Sequence, residues 1–343
     1  MSKYGRVRIK DIAKELDLST ATVSRALSPE TEHMVGKDQV KRVRDCAREL
    51  GYIPNLAAAA LRNQKTHVIG VVIPDILNPV FPPMIKGIQS YLFTQGYITI
   101  FVFSNNNQEE ALEEVRRLAM RNVDGLILAS AFLEDRSVSE CLLQEIPLVL
   151  ANRSIQEGHL VHQVLSDDQH GMELAINHLI SLGHRHLAHF AGPDTILQGL
   201  KRRQAFEWLC QQNNIEFDII NCDQDDTYAF SVDAGRVGAR DYLESGGKAT
   251  GWIAANDLMA IGAIETCRKL NIQIPKDISI CGFNDMPMAD IVNPSLTTVS
   301  VPFEEIGEQA ARMLVKEIGS PWPSKQRWLI APHLVVREST AKA

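Results

Sequence analysis

Eleven polar and aromatic residues fall just beyond short apolar runs rich in Val and Ile, or at the start of the helix that follows such a run. Asp75 and Phe81 come after the first run, and Asn152 and Arg153 after the fourth. Gln198 and Arg202 open a helix after AGPDTILQG, and Phe230, Asn256, Asp257, Asn284 and Asp285 complete the set. Carboxylates, amides and guanidinium groups around aromatic faces suit a sugar or polyol, because each hydroxyl both donates and accepts a hydrogen bond. Taken singly, each of these residues is also explained as a helix cap or turn residue, Asp257 and Asp285 above all.

Bond-making chemistry lacks its usual anchors. No G-x-S-x-G elbow, G-x-G-x-x-G turn or G-x-x-x-x-G-K-[ST] loop is present, so hydrolase, dinucleotide and P-loop chemistry are not expected. His184, His186 and His189 in GHRHLAHF have near-ligand spacing, yet alternation along a strand points His186 away from His189, and no carboxylate trio lies nearby. The six cysteines form no C-x-x-C pair and read as reduced, mostly buried thiols. The expectation is a protein that is not an enzyme and carries no metal or cofactor.

The elements that must position the eleven residues alternate strand and helix. HVIGVVI, YITIFVF, DGLILAS and PLVLAN read as buried strands, separated by helices such as the stretch from Pro83 to Gln95 with Ile85, Ile88 and Leu92 on one face. A second series begins near Val161 with HQVLS and continues through HLAHFAG, FDIINC, GWIAAND and ISICGF. Two runs of βαβ units imply two doubly wound parallel sheets, whose ligands bind beyond the carboxyl ends of the strands.

The first fifty residues follow a different pattern. Ile9, Ile12, Ala13 and Leu16 recur at helical spacing, and a short turn through Leu18 is closed by Ser19, a good N-cap. The next helix, TATVSRAL, puts Val23 and Leu27 on one face and leaves Thr20, Ala21, Ser24 and Arg25 on the other. Two short helices joined this tightly form a helix-turn-helix. A third helix, from Lys37 to Leu50, turns Val40, Val43, Ala47 and Leu50 inward and stops at Gly51.

The words IKDIAKELDLSTATVSRAL and ELGYIPNLAAAALRNQKTHVIGVVIP resemble the signature of the lactose/galactose repressor (LacI/GalR) family, and the likeness runs the length of the chain. It implies a helix-turn-helix DNA-binding domain over residues 1–53, a hinge over 54–65 and an effector-binding, dimerising body over 66–343. The implied fold class is α/β, an all-α reading head on a two-lobed body similar to periplasmic sugar-binding proteins. Lobe 1 would span about 66–164 and 302–327, and lobe 2 about 165–299 and 329–343. The resemblance makes Thr20, Ala21 and Arg25 the readers of the major groove, with Ser19, Thr22 and Ser24 as phosphate donors. Arg25 is the strongest base reader, since a guanidinium can donate twice to guanine; a surface salt bridge is the alternative. Asn55, Leu61 and Arg62 belong to the hinge, where Leu61 would wedge between base pairs in the minor groove or, alternatively, pack on its own core. Between Pro29 and Lys37, the loop within SPETEHMVGK is about two residues longer than the family's usual version. Within the body, the resemblance puts Arg202 where an arginine grips the ligand, Phe230 where an aromatic stacks, and Asp257 in ANDLMAIGA; Asn152 and Asn284 depart from acidic residues of well-known members.

Charge follows the same division. Residues 1–67 carry 13 Lys and Arg against 8 Asp and Glu, net +5, although the chain as a whole is −7; the remainder is therefore −12. A basic segment on an acidic body is the asymmetry of a nucleic-acid binder. No apolar run approaches a bilayer's roughly 20 residues, and no secretion signal opens the chain, so a cytoplasmic protein is expected. A solute-binding receptor, the alternative that the body alone suits equally well, would begin with such a signal. The expected partners are near-palindromic double-stranded operator DNA, a small sugar or polyol effector and a second copy of the chain. RESTAKA ends the sequence without a leucine heptad, which favours a dimer over a tetramer.

Overall fold

The computed structural model describes residues 7–28, 31–52, 65–222, 230–320 and 322–343. Internal contacts divide the chain between Thr66 and His67 into two units.

Among the described residues three α-helices build the first unit: α1 (Ile9–Glu15), α2 (Thr20–Leu27) and α3 (Lys37–Glu49). Their apolar stripes meet in a core of Ile12, Ala13, Val23, Ala26, Val40, Val43, Cys46 and Ala47. Ser19 Oγ accepts from the Thr22 amide at 3.0 Å, pairing one of the free N–H groups that open α2. Ala26 is fully buried, whereas Leu27 is only half-buried. Leu50, expected inside, is exposed: it is the C-cap of α3, where Gly51 at φ +68° turns the chain away from the core. A 3₁₀ turn (Glu32–Met34) leads into α3, and an Arg44–Glu32 ion pair ties the two.

The second unit holds two six-stranded sheets. The first has the order β2 (Ile98–Phe103), β1 (Val68–Ile73), β3 (Gly125–Leu128), β4 (Leu148–Ala151), β5 (His162–Ser166) and β11 (Arg327–Ile330), all parallel. The second runs β7 (Glu216–Asn221), β6 (His186–Ala191), β8 (Gly251–Ala254), β9 (Ser279–Asn284), β10 (Thr297–Ser300) and β12 (His333–Val335), with only β12 antiparallel. Central strands such as β3, β4 and β8 are buried along their whole length, as a sheet covered by helices on both faces requires. In each sheet the strand order reverses at one point, β1/β3 and β6/β8, which opens a crevice at the carboxyl ends.

Two strands of the first sheet run past the lobe boundaries expected at about 164 and 327. HQVLS, expected to begin the second series, is the fifth strand of the first sheet, pairing Val149 with His162 and Ala151 with Val164. Leu329 and Ile330, assigned above to lobe 2, pair with Leu165 and Ser166 in that same sheet. A short apolar run carries no mark of the sheet it joins; the change of lobe comes one element later, where Asp167 caps the next helix. The chain therefore crosses between lobes after Ser166, after Ser300 and after Ile330.

Each lobe contains one unusually close helix pair. In lobe 1, α4 (Phe81–Thr94) meets α11 (Phe303–Gly319) at two glycines. A Cβ on Gly87 would sit 2.0 Å from the Glu304 carbonyl oxygen, and one on Gly307 would sit 2.2 Å from that of Met84. Lobe 2 repeats the device between α9 (Val232–Glu244) and α10 (Asp257–Lys269), where Gly235 abuts the Met259 carbonyl and Gly262 that of Val232, each at 2.0 Å. Such approaches exclude any side chain at the contact.

The three histidines of GHRHLAHF separate. His184 bonds Thr250 and the Ala341 carbonyl, His186 lies 2.8 Å from Asp218, and His189 is buried on the Ile253 carbonyl, where burial pulls its pKa down to about 4. Among the described residues no three His, Cys, Asp or Glu side chains are placed to hold a metal ion. All six cysteines are free thiols; burial pushes Cys141, Cys210 and Cys267 up to about 12.

Candidate functional site

Helix α2 presents Thr20, Ala21 and Arg25 to solvent, opposite the buried Val23 and Ala26. Ser19 and Thr22 share a 2.8 Å hydroxyl contact beside them, and Ser24 is half-buried. The described ion pairs of this unit join Arg44 to Glu32 and Arg48 to Asp45, and Arg25 takes part in neither. Asn55, Leu61 and Arg62 lie outside the described residues.

In the second unit, eight of the eleven strand-end residues line one cavity between the lobes. Phe81, Asn152 and Arg153 come from lobe 1; Gln198, Arg202, Phe230, Asn256 and Asn284 come from lobe 2. The cavity is tight, about 40 Å³. Ligand pockets typically measure roughly 300–1,000 Å³, well above this volume.

Arg202 is the most constrained of these side chains. It stands on α8 (Leu197–Gln212), 4% exposed, with its guanidinium carbon 3.7 Å from the centre of the Phe283 ring. Nε and one Nη donate to Asp168 Oδ1 at 2.9 and 2.8 Å, and the other Nη donates to the Ala255 carbonyl at 2.5 Å. Burial raises the Asp168 pKa above the ordinary carboxylate range, against the pull of Arg202. An arginine has five N–H donors, and three are engaged here, so two remain for a further acceptor. Arg153, also buried, donates to Asn106 Oδ1 at 2.9 Å.

Backbone conformation aims several of the others. Asn152, Phe230 and Asn284 sit at φ +63°, +60° and +114°. Asn tolerates the left-handed region, whereas a bulky Phe held there is strained, a condition that recurs at ligand sites. Asn256 holds Phe230 in place: its Nδ2 donates to the Phe230 carbonyl at 2.8 Å while its Oδ1 caps α10 through the Met259 amide. The ring packs against Gly192, where a Cβ would be 2.5 Å from a ring carbon.

The three carboxylates expected in the site do not line the cavity. Asp75 Oδ1 accepts from the Leu77 amide at 2.8 Å and forms a turn. Asp285 is paired with Arg337 at 2.7 Å. Asp257 is wholly buried and accepts from Thr298 Oγ1 at 2.5 Å and the Met286 amide at 2.7 Å, and burial lifts its pKa to about 7. Only Asp75 takes the turn role that short-range pattern allowed; Asp257 and Asp285 are held by residues distant in the sequence.

Beside this cleft lies a larger chamber of about 460 Å³, sharing Asn152 and Gln198 with it. Lys201, Gln204 and Trp208 from α8, Ser166, Asp167 and Asp168 from the first crossing, and Arg327 from β11 are among its walls. None of these was singled out from the sequence. The helical spacing of Lys201, Gln204 and Trp208 was a legible signal, since residues three and four apart share a face.

Residues 8–55 match the family described as bacterial regulatory proteins, lacI family, and residues 176–340 match the periplasmic binding protein-like domain. The ribose operon repressor of Halalkalibacterium halodurans is 30% identical over 97% of this chain and 96% of its own. This chain belongs to the LacI family. It is thereby a DNA-binding transcriptional regulator and not an enzyme. Among solved LacI-family structures, the Lac repressor dimer bound to operator and the anti-inducer ONPF shares the fold, with TM-score 0.86 at 23% identity over 98% of this chain and 100% of that one. The transcriptional regulator CelR in complex with cellobiose gives TM-score 0.73 at 25% identity, over 97% and 100%. No helix of the described residues is long and apolar enough to cross a membrane.

Proposed function

We propose that this LacI-family regulator is a cytoplasmic repressor whose affinity for operator DNA is set by a small hydroxylated effector held between its two lobes. The observation that carries this reading is Arg202, buried and locked on Asp168, Ala255 and Phe283, with two of its five N–H donors unengaged, lining one cavity with Phe230 and Phe81. A fixed fork of donors beside aromatic faces, ringed by the amides of Asn152, Gln198, Asn256 and Asn284, matches a molecule whose hydroxyls both accept and donate. Relatives named for ribose and cellobiose support the same class of ligand.

Two subunits would present two α2 helices to a near-palindromic operator, with Thr20, Ala21 and Arg25 on base edges, Ser19, Thr22 and Ser24 on phosphates, and Asn55, Leu61 and Arg62 in the hinge. The effector acts only through its preference for one lobe arrangement. Moving most of the population from one state to the other takes several kcal/mol of differential affinity, whatever the absolute affinity. A solute receptor would have no use for the helix-turn-helix.

The test is selection of random duplexes at physiological salt, with and without a panel of sugars and polyols. The expected result is a palindrome whose occupancy changes with one ligand, and whose binding weakens by about 1–3 kcal/mol in Arg25→Ala with relaxed preference at one base pair. Salt-sensitive binding with no sequence preference would overturn the reading.

A further inference from the structure

The 460 Å³ chamber carries chemistry that the inner cleft does not use. Two of its lining residues hold buried oxygens with no hydrogen-bond partner among the described residues: Ser166 Oγ and Gln198 Oε1. Ser166 is 7% exposed and Gln198 8%. Buried polar atoms are nearly always paired, so two orphans on residues lining one chamber mark places where a ligand's polar atoms fit.

The kind of atom follows from the partners. Gln198 Oε1 can only accept, and the carboxylate of Asp167, whose Oδ1 already takes the His170 amide at 3.1 Å, can likewise only accept. An ionised phosphate or carboxylate has no proton to offer them, whereas a hydroxyl has one. The same hydroxyls can accept from Lys201, now 3.4 Å from Gln204 Oε1, and from Arg327 on the edge strand. Trp208 stands half-exposed on this wall and offers an apolar indole face of the size of a pyranose ring.

We infer that the outer chamber is a second sugar-ring subsite, so that the effector is a disaccharide or glycoside with one ring in the inner cleft and the next on Trp208. The inference rests on the reading of the inner cleft as an effector site. Asn152 and Gln198, common to both spaces, stand where the linkage between the rings would pass.

Calorimetric titration of the full chain tests this with cellobiose, maltose, sucrose and melibiose, each beside its component monosaccharides, on the natural protein, Trp208→Ala and Arg202→Lys. One disaccharide should bind at least tenfold more tightly than either component. Trp208→Ala, a surface change, should erase that advantage while leaving monosaccharide binding and the thermal melt unchanged, and Arg202→Lys should weaken every sugar. Equal affinity for mono- and disaccharides, unmoved by Trp208→Ala but lost in Arg202→Lys, overturns the outer subsite and leaves the inner cleft standing. Sugar binding indifferent to Arg202→Lys overturns the inner reading and the inference with it, and so does a panel in which no sugar binds.

Discussion

Gln198, on the second lobe, donates its Nε2 hydrogen to the main-chain carbonyl of Asn152, on the first. Along the same seam the Leu133 amide of lobe 1 donates to the Thr195 carbonyl of lobe 2 at 2.9 Å. Together the two bonds tie the lobes across the seam beside the inner cavity. Gln198→Ala removes one of them, and amide exchange at Leu133 should then quicken by about tenfold, the effect of losing roughly one hydrogen bond's worth of net stabilisation. Unchanged protection at Leu133 would show that the seam does not depend on Gln198.

Asp257 sets a pH dependence of stability. Its carboxyl is raised from the ordinary 3.8 to about 7 by burial, so the folded state binds the proton more tightly than the unfolded chain does. Stability therefore falls as pH rises from 3.8 to about 7, and the loss is complete above that. Asn in its place keeps an acceptor for the Met286 amide and can donate to Thr298, so Asp257→Asn should flatten that slope. Urea unfolding at pH 5 and pH 8 provides the comparison; an unaltered difference between the two would remove Asp257 as its source.

Removing Arg202 does more than empty the cleft. Arg202→Ala leaves Asp168 buried without its cation, and breaking such a pair from one side costs about 3–5 kcal/mol. Chemical denaturation should show that loss, whereas Arg202→Lys, which keeps a charge for Asp168, should lose much less. Similar midpoints for both would mean that the Asp168 contact adds little to stability.

The glycine contacts predict failures of packing. Gly307→Ala in lobe 1, or Gly262→Ala in lobe 2, forces a Cβ onto a main-chain oxygen that has no room to retreat. Each should destabilise its lobe by at least the ~1–3 kcal/mol of ordinary overpacking. At Gly36, where a Cβ meets nothing, the same substitution should be nearly neutral, and the contrast is measurable by thermal melting.

The sequence made the site visible to the extent that function followed local pattern. Phe81, Asn152, Arg202 and Phe230 were found because βαβ alternation says where strands end, and residues at those ends converge. Asp75, Asp257 and Asp285 satisfied the same rule and were drawn instead to nearby amides, a hydroxyl and Arg337, a competition decided by loops that periodicity does not describe. HQVLS read as a strand but not as a strand of a particular sheet, because both sheets demand the same apolar run. Asp168 and the paired glycines had no local signal at all: each matters through a partner on another element, Arg202 for the first and a facing carbonyl for the others.

The crossings after Ser166, Ser300 and Ile330 leave from neighbouring strands, since β5 lies beside β11 in one sheet and β10 beside β12 in the other. Three connections gathered along one edge resist twist and shear between the lobes and permit bending about a single line. Each lobe is stiffened internally by its glycine-locked helix pair, so the body behaves as a machine with one coordinate, the angle between two plates. On the proposed function, a bound molecule would communicate one scalar, how far that angle is closed, and chemically different ligands selecting the same angle would be indistinguishable to the DNA.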